Sequence, residues 1–186
     1  MTPEKSPLAR VEAIADGRLI IWDFNEARKL YKLGFYGKPL GIAKPRDDFS
    51  APLILDPIEG VYLLEKGLIT VSSSENEIIN IEDFRLKAIT ILDGFNIRFK
   101  VYRDLRDKGF IVTPGIKYGC DFAVYEHGPG VDHAPFIVQV NTSDEELSAQ
   151  EIVESGRLAS TVRKTFIIAV VSGSEVNYYS FKWWRP

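Results

Sequence analysis

The chain has 186 residues, 45% of them apolar and 26% charged, and a formal net charge of −3. That length can bury one sizeable core or two small ones, and the composition is that of an ordinary soluble globular protein. An acidic balance argues against indiscriminate nucleic-acid binding, which depends on phosphate neutralisation; the absence of any apolar run near the roughly 18 residues of a membrane span, and of a signal-peptide-like start, sets the expectation of a cytoplasmic protein with no membrane partner.

Residues 11–15 and 18–22, separated by Asp16-Gly17, predict two strands joined by a tight hairpin. Residues 25–33 predict a helix with Ala27, Leu30, Tyr31 and Leu33 on one side and Gly34 as its stop. The stretch 36–57 contains Gly37, Pro39, Gly41, Pro45, Pro52 and Pro57, which is loop chemistry, and connections of that length usually carry function or motion. A short amphipathic helix over 58–66 ends at Gly67, a strand follows over 68–71, a polar turn over 72–77, and a further helix over 81–92. A subdomain boundary is placed near Gly94.

The second half opens with a helix over 97–108, stopped by Gly109, then strands over 110–113, 120–125 and 136–141. Cys120, the single cysteine, excludes an intrachain disulfide and any cysteine-based zinc site, and its alternating neighbours read it as a small buried hydrophobe. Ser148-Ala149-Gln150-Glu151 has capping-box spacing, so a helix starts at Ser148 and runs to about Lys164, with Gly156 a candidate kink. Residues 165–171 and 176–183 are β-branched and aromatic, and Ser172-Gly173-Ser174-Glu175 between them reads as a hairpin turn. The fold class is α+β: a small N-terminal α/β subdomain over 1–94, and over 95–186 a second subdomain with a mixed sheet flanked by helices.

Both histidines of the chain, His127 and His133, fall in one Gly/Pro-rich loop that follows Tyr125, and histidine is the side chain whose ordinary charge change falls near neutral pH. Tyr125 ends a strand, His133 ends the loop, and Lys164 closes the long helix. Taken singly, each has a plainer account: a strand-end Tyr usually packs, a loop His is usually surface, and a helix-terminal Lys usually complements the macrodipole. Strand end, loop and helix end can converge in a sheet-based subdomain, and Tyr118 and His127 are the nearest competitors for a role.

The run Lys117-Tyr118-Gly119-Cys120-Asp121-Phe122-Ala123-Val124-Tyr125, then His133, then Gly156-Arg157-Leu158-Ala159-Ser160-Thr161-Val162-Arg163-Lys164-Thr165, resembles the tRNA-splicing endonuclease family over nearly all of 95–186. Val101-Tyr102-Arg103-Asp104-Leu105-Arg106-Asp107-Lys108-Gly109-Phe110 resembles the helix that opens the family's catalytic domain. The helical segment Ile58-Glu59-Gly60-Val61-Tyr62-Leu63-Leu64-Glu65-Lys66-Gly67 carries a looser match in the first half.

The resemblance implies cleavage of precursor tRNA at bulge-helix-bulge elements with no metal or other cofactor, leaving a 2′,3′-cyclic phosphate and a 5′-hydroxyl. It makes Tyr125 the base, His133 the acid and Lys164 the electrostatic stabiliser. A phenol with an ordinary pKa of about 10 is protonated at neutral pH, so the roles of Tyr125 and His133 are open to exchange. Arg157 matches a position that stacks on an extruded base, and Trp183 its aromatic partner, with Trp184 the alternative. The 36–57 stretch resembles a crenarchaeal type of catalytic subunit, in which Lys44, with Arg46, reaches RNA backbone; Asp47 and Asp48 beside them fit a solvated loop instead. The implied partners are precursor tRNA and either a noncatalytic paralogous subunit, as a heterotetramer, or further copies of the chain, as a homotetramer. Assembly would run through a hairpin loop at 172–175, which holds only one acidic residue, Glu175, or through the apolar strand carrying Tyr178, Tyr179, Phe181 and Trp183. The alternative function is a noncatalytic RNA-binding or assembly subunit of the same fold.

Overall fold

A computed structural model describes residues 6–15, 17–131 and 133–181, which form two compact units, Met1–Phe95 and Asn96–Pro186. Among the described residues each unit is built on one mixed sheet with helices, an α+β arrangement.

The first unit begins with β1 (Ala9–Ala13) and β2 (Leu19–Ile21), antiparallel across a turn in which the Gly17 N–H donates to the Ile14 carbonyl (3.0 Å). Helix α1 (Phe24–Gly34) is capped by Asp23, whose carboxylate accepts from the N–H groups of Asn25 and Glu26. Its left-handed closing residue is Phe35 (φ 55°), one position beyond the expected Gly34 stop. The apolar side of Ala27, Leu30 and Tyr31 is buried, as the spacing predicts, whereas Leu33 is exposed.

The 36–57 stretch differs from the expected loop. It contains β3 (Lys38–Pro39) and β4 (Leu53–Leu55), and β4 pairs antiparallel with β2. The connection between them is irregular, and buried Phe49 anchors it against the Tyr31 ring at 5.5 Å. Proline density hid β4 because its pairing partner, β2, is distant in sequence.

Helix α2 (Pro57–Glu65) starts with Asp56 and Glu59 in a reciprocal capping box. Strand β5 (Ile69–Ser73) lies parallel to β1, and β6 (Ile78–Ile79), just after the stretch 72–77 that reads as a polar turn, pairs with β5. The sheet order is β3-β4-β2-β1-β5-β6, and α3 (Ile81–Ile91) packs on α2. Gly60 sits where α2 meets the sheet, since a Cβ there would lie 2.1 Å from Leu19 Cδ1.

The second unit contains α4 (Phe95–Asp107), β7 (Ile111–Pro114), a 3-10 turn (Ile116–Tyr118), β8 (Phe122–Tyr125), β9 (Phe136–Thr142), α5 (Ala149–Thr161), β10 (Thr165–Ser172) and β11 (Glu175–Ser180). The sheet order is β11-β10-β9-β8-β7, antiparallel except for β9 beside β10. The capping box expected at Ser148 and Glu151 is present, and the β10–β11 hairpin closes at Ser172 opposite Glu175. Its edge strand is tied to α4, because the Tyr178 hydroxyl donates to Asp104 at 2.6 Å and the Lys100 ammonium donates to the Gly173 carbonyl. Burial, and then the Asp104 carboxylate, push the Tyr178 phenol well above its ordinary range.

Glu59 is 3% exposed and accepts from two backbone donors, Gly37 N–H and Asp56 N–H, each at 3.0 Å. It joins α2 to the start of the β3 hairpin. Removing a buried acceptor leaves both donors without that partner, so Glu59→Ala should lower unfolding free energy by about 2–4 kcal/mol in urea titration. A loss under about 0.5 kcal/mol would show that water satisfies both donors equally well.

Candidate active site

Sheet register alone brings three segments together. Val124 of β8 and Thr165 of β10 both pair with Phe136 of β9, on its two sides. One step further toward the same end are Tyr125, Pro135 and Lys164. The Thr165 N–H donates to the Pro135 carbonyl at 2.8 Å, so the row continues past the strands. At about 4.8 Å per strand, Tyr125 and Lys164 are roughly 10 Å apart along this end of the sheet.

Between Tyr125 and this row runs the loop 126–135. Gly128 and Gly130 take positive φ (119° and 88°), and the Val131 N–H donates back to the Gly128 carbonyl. The chain returns at Ala134, which is buried and whose carbonyl accepts from the Lys164 ammonium at 2.5 Å. His133, exposed, is therefore one residue from the group that holds Lys164. Tyr125 is half-buried, and His127 lies exposed in the same loop.

Lys164 is placed by the way α5 ends. The sequence periodicity carries that helix to Lys164, but it closes at Thr161, with Arg163 in the left-handed region (φ 54°). The Arg163 N–H donates to Ser160 O (3.1 Å) and the Lys164 N–H to Ala159 O (2.8 Å), the paired bonds of a Schellman end. Such a position usually holds glycine; here an arginine carries the strain directly before Lys164.

The Lys164 ammonium also lies 5.0 Å from the centre of the Tyr118 ring. Tyr118 ends the 3-10 turn and packs against the cluster of Ile137, Ala159, Phe166 and Ile168. The sequence gives no sign of this contact, since Tyr118 stands there only as a competitor for a role. A helix-end lysine and a turn tyrosine 46 positions apart give no local sign of meeting.

Arg157 is exposed on α5, two turns before Lys164. Lys44 and Arg46 are exposed on the β3–β4 connection in the other unit. Trp183 and Trp184 fall outside the described residues. Cys120 sits before β8, half-buried; its thiol is pushed up to about 11 by burial and then by Asp121, so it is a thiol at neutral pH. Among the described residues, no group of three or more His, Cys, Asp or Glu side chains is gathered to hold a metal ion, and no helix is long and apolar enough to cross a membrane.

Two family models match this chain. That of the tRNA intron endonuclease catalytic C-terminal domain covers residues 95–178, and that of the N-terminal domain covers 12–85. The chain belongs to the tRNA intron endonuclease family. It is 46% identical over 172 residues to the tRNA-splicing endonuclease of Hyperthermus butylicus, which spans 91% of this chain and 95% of that protein. It is 43% identical over 178 residues to the tRNA-splicing endonuclease of Saccharolobus islandicus strain L.S.2.15, covering 93% and 98%. The corresponding protein of Sulfurisphaera tokodaii is 41% identical over 170 residues, 89% and 94%. These relatives are archaeal, and membership of the tRNA intron endonuclease family supports tRNA intron cleavage as the activity of the chain.

If Arg163 carries left-handed strain, glycine there should be tolerated and a β-branched residue should not. Arg163→Gly should unfold at or above the parent's thermal midpoint, and Arg163→Val should lose about 1–2 kcal/mol in chemical denaturation. Equal stability of the two variants would show that the backbone relaxes at no cost.

Proposed function

We propose that the chain cleaves precursor tRNA at bulge-helix-bulge splice sites without a metal, by intramolecular transesterification. The 2′-oxygen attacks the adjacent phosphorus, the bond from phosphorus to the 5′-oxygen breaks, and the products are a 2′,3′-cyclic phosphate and a 5′-hydroxyl. That reaction needs a group to take the 2′-hydroxyl proton, a group to protonate the leaving 5′-oxygen, and positive charge beside the phosphorane. Tyr125 is assigned as base, His133 as acid and Lys164 as electrostatic stabiliser, with Tyr125 and His133 exchangeable in role.

The observation that carries this reading is the shared row of Tyr125, Pro135 and Lys164, with the Lys164 ammonium on the carbonyl next to His133. An ammonium has three donors, and one is used on Ala134, which leaves capacity for a phosphate oxygen. Arg157, exposed on α5, is suited to stack on an extruded base, with Trp183 as the aromatic counterpart. Lys44, exposed on the β3–β4 connection, is assigned to RNA backbone, where it widens tolerance of irregular bulges.

Assembly as a heterotetramer with a noncatalytic paralogue, or as a homotetramer, fits the edge position of β11. Tyr179 and Phe181 are exposed there, 54% and 40%, although Tyr178 is held back on Asp104.

Single-turnover cleavage of a bulge-containing precursor tRNA in EDTA tests the assignment, with the chain alone and with a candidate partner. His133→Ala, Lys164→Ala and Tyr125→Phe should each slow cleavage by about 10²–10³-fold while RNA binding persists. Parent-like rates in the variants would sink the site; cleavage by no pairing would leave the noncatalytic reading.

For Lys44→Ala, cleavage of irregular bulges should fall several-fold and that of regular ones should hold. Equal performance on both substrates would return Lys44 to an ordinary surface residue.

A further inference from the structure

We propose that Tyr118 is a positioning residue for Lys164: its ring holds the ammonium in place without neutralising it. This rests on Lys164 being the electrostatic group of the reaction. A lysine has a flexible four-carbon stem with many rotamers, so an ammonium tethered only at its Cα would spend little time at one phosphate. Here two contacts limit it, the Ala134 carbonyl at 2.5 Å and the face of Tyr118 at 5.0 Å.

The second contact has the chemistry the role demands. A carboxylate beside Lys164 would fix it more strongly, but would cancel the charge meant for the phosphorane. An aromatic face attracts the cation through its quadrupole and takes none of its N–H donors. The ring itself is fixed. The Tyr118 N–H donates to Gly115 O at 2.8 Å, Gly119 reverses the chain in the left-handed region (φ 65°), and the side chain packs on the cluster containing Ala159 of α5 and Phe166 of β10. Those two residues flank the segment that carries Lys164, so ring and lysine share one support. Lys117 also lies over this ring, at 5.8 Å, which makes it the competing client.

The test is single-turnover cleavage at saturating precursor tRNA, with RNA dissociation constants measured in parallel. Tyr118→Leu should slow the cleavage step about tenfold and change RNA affinity by less than about twofold, and Tyr118→Phe should restore the rate. In a Lys164→Ala background Tyr118→Leu should cost nothing further, whereas in a Lys117→Ala background it should keep its full effect. Phenylalanines with one, two and three ring fluorines at position 118 weaken the quadrupole at nearly constant shape, so the rate should fall stepwise along the series. That series decides the matter alone if Tyr118→Leu does not fold.

A flat fluorine series, a loss confined to RNA affinity, an additive loss on Lys164→Ala, or a loss that disappears on Lys117→Ala would each overturn the inference. If Lys164→Ala cleaves like the parent, the catalytic assignment itself fails and this inference falls with it. If Lys164→Ala is slow but ring substitutions are silent, only the inference fails.

Discussion

Strand β9 has an antiparallel neighbour on one side, β8, and a parallel neighbour on the other, β10. An antiparallel pair sets the end of one strand beside the start of the next, whereas a parallel pair sets two starts together. The end of β8, the start of β9 and the start of β10 must therefore meet at one edge. Tyr125 stands at the first, His133 three residues before the second, and Lys164 directly before the third. No loop needs to reach across the unit to assemble the row. The same pairing explains why Lys164 comes 31 positions after His133: β9, α5 and their connections fill the crossover that a parallel pair requires.

The segment before β10 is held from several directions. The Schellman bonds at Ala159 and Ser160 turn the chain out of α5, and the left-handed Arg163 completes the turn. The Thr165 N–H engages Pro135, and the Lys164 ammonium engages Ala134. Backbone strain in a non-glycine residue persists only where surrounding contacts over-determine it, and here four hydrogen bonds do so. A rigid lysine backbone and a restrained ammonium together reduce the reorganisation that a developing phosphorane charge would otherwise demand.

Much of the fold was legible because its signals are local. The capping box at Ser148 and Glu151 and the 172–175 turn act within a few residues, and they appear where the spacing predicts them. The misses are non-local. The strand β4 sits between prolines and exists through its pairing with β2, and β6 exists through β5. The periodicity carries α5 three residues past its observed end, because the chain turns there at a left-handed arginine where glycine is the usual signal.

What the sequence by itself determined is the set of reactive residue types and their spacing, together with the family to which that spacing belongs; both are properties of a one-dimensional string. Which groups touch was decided by tertiary structure. The Ala134 carbonyl and the Tyr118 ring reach Lys164 from segments 30 and 46 positions away. Such contacts arise from strand register and shared core packing. Register depends on which strand lies beside which, and that neighbourhood is a three-dimensional fact that no local pattern of residues encodes.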